Sequence, residues 1–248
     1  MNQKVKMALS VANTTSGNGL LTCLNSSDRD LLVSRLEPVK LGFRQPLEFT
    51  NRQIGAAYFI EHGIISVLTI GGGHHPQTEV GLIGREGMTG LTLVLGHDRS
   101  PHDAFVQAEC TAQRIAAADL QDVLRGSRTL LASLLRYAYV WSLTLAQTAL
   151  ANARGSLEER LARWLLMAHD RSDGDEINLT HEFLSFMLGT RRAGVTTALN
   201  AFDTRGWIDH ARGRVTIVDR RGLEQLADGF YGVPEAEYGR LMRSSQQA

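Results

Sequence analysis

The chain has 248 residues, with 26 Lys and Arg against 26 Asp and Glu, and 43% of it is apolar. These values describe an ordinary soluble globular chain with ample core for two modest domains. Its two cysteines, Cys23 and Cys110, exclude a four-cysteine cluster or structural zinc site and read as small buried residues.

Residues 1–24 read as a flexible polar arm. Lys4 and Lys6 are followed by no apolar run of signal-peptide length before Asn13 and the polar stretch 14–19. Secretion is therefore not expected, and a cytoplasmic location is. Residues 25–118 follow as a sensor-like β-roll. Ser27, with Asp30 three residues on, has capping-box spacing and opens a short helix whose apolar face is Leu31, Leu32 and Leu36, stopping at Pro38. From Val39 to Ala117 the period becomes 2, in short runs at 57–60, 64–68, 79–83 and 104–108, with turns at 62–63, 71–76 and 84–87. About eight short strands at this spacing predict an antiparallel barrel or jelly roll able to hold a ligand.

Residues 119–154 return to helical period, and the stretch 129–153 carries one charge, Arg136. Its length alone fits a membrane span. However, Ser133, Ser142, Thr144, Gln147, Thr148 and Asn152 are too many polar side chains for an unaccompanied span, so no membrane partner is expected. A helix apolar almost all round must be buried on more than one face. The expected solution is a dimer seam through Leu134, Ala138, Trp141, Leu145, Thr148 and Asn152, with Leu130 and Tyr137 packed on the roll. Ser156 and Glu159 then form a capping box for a helix whose inward face is Leu157, Leu161, Trp164, Leu165 and Ala168. The charged stretch 170–176 lacks calcium-loop spacing and reads as a solvated linker.

Within 155–222 the chain reads as a winged helix-turn-helix. Phe183, Leu184, Met187 and Leu188 make a short apolar helix that stops at Gly189. The next helix has Val195, Ala198, Leu199 and Phe202 on its inner face at i, i+3, i+4, i+7 spacing. That leaves Arg191, Arg192, Gly194, Thr196 and Thr197 outward at its N-terminal end, where base edges and phosphates are met, with Thr180 capping the preceding helix. Gly206 ends the helix; residues 207–208 and 215–218 make a β-hairpin wing turning at 210–214, which carries Arg212 and Arg214. From Gly189 to Arg221 there are seven arginines (191, 192, 205, 212, 214, 220, 221) against three aspartates (203, 209, 219), a local charge of +4 in a neutral chain. That is the electrostatic footprint of phosphate contact, and double-stranded DNA is the expected partner. Residues 223–248 read as a C-terminal helix or tail. The fold class is α+β.

The order of parts, and above all Leu179, Thr180, Leu184, Gly189, Arg192 and Val195, resembles the Crp/Fnr family of bacterial transcription regulators from about Ser27 to Asp219. The resemblance implies a homodimer on a pseudo-palindromic operator, RNA polymerase as a further partner, and Arg192 at the start of the recognition helix. Ala193 and Thr197 stand where well-known members read bases with Glu and Arg, so their half-site does not transfer. In cyclic-nucleotide-binding members a Gly-Glu and an Arg-Ser/Thr clamp the ligand. Here Gly90-Leu91 and His102-Asp103 stand in those places. Leu91 accepts no ribose hydroxyl and Asp103 repels phosphate. Arg99 and Ser100, with Gly90 and Leu91, remain as a candidate effector pocket. The cysteine count removes an iron-sulfur sensor, and His62, His74, His75, His97 and His102 read as surface histidines rather than haem ligands. No metal or cofactor is expected. No nucleophile elbow, Walker loop or Rossmann fingerprint occurs, and His181-Glu182 lacks the second histidine of a zinc protease, with Ser185 in its place, so no enzymatic activity is expected.

Overall fold

The computed structural model describes residues 17–71 and 77–244. Alternating apolar residues build a five-stranded antiparallel sheet from β1 (Glu37–Leu41), β2 (Pro46–Glu48), β3 (Ala56–Thr69), β4 (Thr78–Ile83) and β5 (Asp103–Ala116). The order is β1-β5-β3-β4, with β2 also paired to β5. The strands are fewer and longer than the eight expected, because β3 and β5 each run 14 residues and bend rather than break. Their pairing shifts register between Ile60 and Ile65, so His62 and Gly63, expected as a turn, form a bulge inside β3. Gly63 has φ 92, and a Cβ there would lie 2.4 Å from the Glu109 carbonyl oxygen. A polar residue followed by glycine is the local signature of both turn and bulge; the pairing partner decides between them.

Residues 18–24, expected in the flexible arm, belong to the core. Leu20, Leu21 and Leu24 are buried around α1 (Gly19–Thr22), whose cap Asn18 donates to the carbonyls of Ile60 at 2.7 Å and Gly87 at 2.8 Å. The rest of that arm, and with it His74 and His75, lies outside the described residues. Helix α2 (Ser26–Val33) is capped by Asn25, which accepts from the Asp28 N–H at 2.8 Å, two residues before the expected Ser27 cap. Asn and Ser cap equally well, and the apolar pattern does not choose between them. Pro38 does not stop a helix but pairs with Gln113 in β1.

The helix expected over 119–154 is two, α4 (Ala117–Gly126) and α5 (Arg128–Arg154). Ser127 breaks them with φ −130 and ψ 113; its hydroxyl accepts from the Leu130 N–H and donates to the buried Asp28 carboxylate. Helix α5 runs 27 residues and packs on the roll. Leu134 is fully buried in the chain's own core, Trp141 lies in a notch where a Cβ on Gly81 would come within 2.7 Å of its ring, and Thr148 donates to the Val80 carbonyl at 3.0 Å. These three residues, expected in a dimer seam, are occupied inside the protomer; Ala138 and Leu145 are half-buried beside them, and of the expected seam only Asn152 is exposed. The free face is Leu135, Tyr139, Ser142, Ala146, Ala149 and Ala153, one residue or about 100° further round. A helix apolar on nearly every side has a weak amphipathic direction, and the glycine notch in β4 fixed its rotation.

Helix α6 (Leu157–Arg171) has the expected Ser156–Glu159 capping box and buries Leu161, Trp164, Leu165 and Ala168. Then come β6 (Glu176–Asn178), α7 (His181–Met187), α8 (Arg192–Thr204), β7 (Ile208–Ala211), β8 (Arg214–Ile217), α9 (Arg220–Leu226) and α10 (Val233–Ser244). The stretch 170–176 is exposed over residues 173–176, as a solvated linker would be, but is anchored at its start and by side-chain pairs. Asp170 is 2% exposed, pairs with Arg220 at 2.8 Å and accepts from the Tyr231 hydroxyl, while Asp175 meets His169 at 2.9 Å. The tail expected from residue 223 starts earlier, at α9, and α10 returns to bury Tyr238 and Met242 in the cluster that holds Leu134. Two polar links fix α6 to the roll: the Trp164 indole N–H donates to Glu79 at 2.5 Å, and Arg171 pairs with the buried Glu86 at 2.7 Å. No helix among the described residues is long and apolar enough to cross a membrane.

Candidate nucleic-acid interface

Helix α7 starts because Thr180 accepts from the Phe183 N–H at 3.1 Å, and it turns sharply because Gly189 adopts φ 58. Helix α8 then buries Val195, Ala198, Leu199 and Phe202, the whole inner face expected from its spacing. Burial of that stripe pins the rotation of α8, so Arg191, Arg192, Ala193 and Thr197 stand exposed along its first two turns. Behind it, β7 and β8 pair from Ile208↔Ile217 to Ala211↔Arg214, leaving Arg212 and Gly213 as the turn. A third strand, β6, pairs with β8 and was not legible in its three residues. The Leu179 N–H donates to the Gly213 carbonyl at 2.9 Å, holding the wing tip beside the start of α7.

Helix and wing enclose a cleft of about 580 Å³ lined by Thr180, His181, Glu182, Arg192, His210 and Arg212. It brings together three of the predicted site residues: Thr180, Arg192 and Arg212. His181 and His210 are additions; their rings lie 5.7 Å apart, and His181 Nδ1 is 2.9 Å from the Thr196 hydroxyl. Burial first, then the nearby His210 and Arg192 charges, holds His181 below the usual imidazole range. That lowering favours the neutral ring, the form that presents one donor and one acceptor beside the arginines.

Other predicted residues fall elsewhere. Gly194 does not face outward: a Cβ there would meet the Leu157 side chain at 2.9 Å, so it is the site of close approach to α6. Thr196 is half-buried and committed to His181 and to the Arg192 carbonyl. Arg214 faces solvent but pairs with Glu176 at 3.6 Å. Of the seven arginines counted in sequence, Arg220 is held by Asp170 and Glu224, and Arg205 by Glu158 and the Trp207 ring. Arg191, Arg192, Arg212 and Arg221 have no carboxylate partner among the described residues.

The four residues expected as an effector pocket are each engaged by the protein itself. Gly90, at φ 71, donates its N–H to Glu48 at 2.6 Å, and a Cβ there would strike Ala57 at 2.8 Å. The Ser100 hydroxyl donates to the His102 carbonyl at 2.8 Å, and burial raises the Glu48 pKa. A carboxylate of the protein thus takes the Gly90 N–H that an anion would use. Arg99 turns away to the Asn51 carbonyl at 2.7 Å, and Leu91 packs against the core cluster. Asp103 accepts from the Thr50 N–H and hydroxyl and from Gln77. His62 pairs with Asp173 at 2.8 Å.

Residues 159–226 match the family model of the Crp-like helix-turn-helix domain. No curated protein matches the chain. Among solved structures it is similar to FixK2 from Bradyrhizobium japonicum, at 13% identity over 77% of this chain and 96% of that one, with a TM-score of 0.67. A Crp-family transcriptional regulator from Thermus thermophilus gives 17% identity, 76% and 96% coverage and a TM-score of 0.63. The c-di-GMP responsive global regulator CLP of Xanthomonas campestris gives 14%, 78% and 99%, and 0.62.

Proposed function

We propose that this chain, which carries a Crp-like helix-turn-helix domain and has the fold of Crp/Fnr family regulators, is a transcription regulator that binds double-stranded DNA as a homodimer. The observation that carries this is the cleft between α8 and the wing, where Arg192 and Arg212 stand exposed without internal acid partners, with Arg191 exposed next to Arg192 at the start of α8. Guanidinium groups free of internal acids meet phosphates and guanine edges at the lowest desolvation cost. Arg191, Arg192, Thr197 and Arg212 make the contacts; Thr180 and Thr196 set the helix and the His181 ring behind them. Arg214 reaches phosphate from the wing, and Gly194 serves packing.

Two copies meet along α5. Leu135, Tyr139, Ser142, Ala146, Ala149 and Ala153 follow 4-3-4-3-4 spacing on its exposed face, the seam of a two-stranded coil, and small residues in its second half allow close approach. Two-fold symmetry then places the recognition helices about 34 Å apart on a pseudo-palindromic operator. The remaining partner is RNA polymerase, and the site of action is the cytoplasm. The protein performs no catalysis and needs no bound metal or cofactor.

A gel-shift titration on a genomic operator, repeated over a range of salt, tests this. Affinity should fall steeply with salt, as phosphate contacts require. A flat salt response would instead assign the winged helix to protein contacts.

A further inference from the structure

Roll and helix-turn-helix meet over a second cavity, of about 340 Å³, lined by residues that do not line the cleft of α8 and the wing. Its apolar walls are Phe49, Leu68 and Phe105 from the roll and Phe183, Phe186 and Met187 from α7. We propose that this cavity binds a small amphipathic acid, an apolar body carrying one anionic group, and that the bound acid fastens α7 to the roll.

The size lies within the range of small-molecule sites, about 300–1,000 Å³. Phe49 on one wall is 54% exposed and Phe186 on the other is 41% exposed, so both walls offer aromatic surface that an apolar body would cover. The sign of the polar group follows from which lining charges are already engaged. Asp103 accepts three hydrogen bonds, from the Thr50 N–H at 2.7 Å, the Thr50 hydroxyl at 3.0 Å and Gln77 at 2.9 Å. Glu48 is taken by the Gly90 N–H at 2.6 Å. Arg44 is the lining charge with no acid partner among the described residues; its guanidinium only stacks on the Phe43 ring, 5.2 Å from the centroid. It also holds a left-handed backbone, φ 62, fixed by its N–H to the Val106 carbonyl at 2.8 Å. A carboxylate or sulfonate on the ligand supplies the partner that Arg44 lacks.

Three lining side chains sit on α7, whose turn at Gly189 leads into α8. An acid in the cavity prefers the docked arrangement of α7, so ligand and DNA change each other's affinity by the same factor. This coupling rests on the proposed DNA binding; occupancy of the cavity does not.

The test titrates the full-length protein with anilinonaphthalene sulfonate, an apolar dye with one anionic group, followed by fluorescence. Decanoate and decanol serve as competitors. Arg44→Gln and Phe186→Ser change exposed side chains and should leave the fold intact, which circular dichroism checks; Leu95→Ser, 56% exposed elsewhere, is the control. The expected result is saturable binding, weakened at least about fivefold by either cavity variant and unchanged in the control, with decanoate displacing dye better than decanol. Absence of saturable binding, equal affinity in all four proteins, or equal displacement by acid and alcohol would overturn the proposal. Failure of the wild-type gel shift alongside these dye results would sink the DNA reading alone.

Discussion

The indole N–H of Trp164 on α6 and the carboxylate of Glu79 on β4 meet at 2.5 Å inside the protein, while Ser66 on β3 donates to the other carboxylate oxygen. Burial lifts Glu79 to about 7, against the lowering effect of the Ser66 and Trp164 hydrogen bonds and the Arg163 and Arg171 charges; Met187 of α7 closes the remaining side through Ser66. Between the ordinary 4.5 and about 7 the folded chain keeps a proton that the unfolded chain has released, so stability falls as pH rises through that window. Glu79→Gln removes the charge, keeps an acceptor oxygen for the Trp164 N–H and turns the Ser66 contact into a bond donated by the amide. Between about pH 5 and pH 8 the variant should gain roughly 2–3 kcal/mol on the wild type in urea unfolding. Parallel pH profiles for the two proteins would refute this account of the junction.

Leu134 and Leu135 are neighbours with opposite duties. Leu134 is buried in the protomer and Leu135 is 40% exposed. Leu134→Ala should lower stability by about 2–5 kcal/mol. Leu135→Glu should leave a folded chain but a monomer, since a seam cannot bury an unpaired carboxylate from each copy. Sedimentation of Leu135→Glu as a dimer of wild-type stability would place the seam elsewhere.

Arg192 stands exposed with no acid partner among the described residues, whereas Arg220 is held by Asp170 and Glu224, and the proposed function separates the two as contact and scaffold. Arg192→Ala should cost about 1–3 kcal/mol of operator affinity with unchanged thermal stability. Arg220→Ala should strip the partner from Asp170, which is 2% exposed, and cost about 3–5 kcal/mol of stability. Paired melting and gel-shift measurements check both; loss of folding in Arg192→Ala would contradict its assignment.

The bulge in β3 gives a backbone test. Gly63→Ala should destabilise by about 2 kcal/mol or more, because the left-handed conformation and the Glu109 carbonyl both oppose a Cβ. Gly126→Ala, with open space at its Cβ position, should stay within about 0.5 kcal/mol of wild type. Equal effects would mean the strand does not bulge at Gly63.

Cyclic AMP should bind weakly or not at all, because Glu48 already occupies the Gly90 N–H, Ser100 is turned to the His102 carbonyl and Arg99 to the Asn51 carbonyl. Calorimetry giving a micromolar dissociation constant that Arg99→Ala abolishes would show that this loop rearranges around the ligand.

Periodicity alone carried the local elements whose pattern has one solution. The stripe Val195, Ala198, Leu199, Phe202, the glycine stop at 189 and the Ser156–Glu159 box are short-range features, and each appears in the structure where its residues lie. The α+β architecture followed from the order of such elements. What needed the tertiary structure was every choice between locally equivalent arrangements. Leu134 and Leu135 are equally apolar, and only the Gly81 notch under Trp141 decides which faces the roll. His62 and Gly63 spell a turn until Thr111 and Ala108 pair across from their strand. Seven arginines sum to one cationic patch in sequence, yet Asp170, 50 residues before Arg220 in the chain, removes that one from it. Hydrogen bonds within a helix turn are written in neighbouring residues; contacts between distant segments are fixed only when the segments pack.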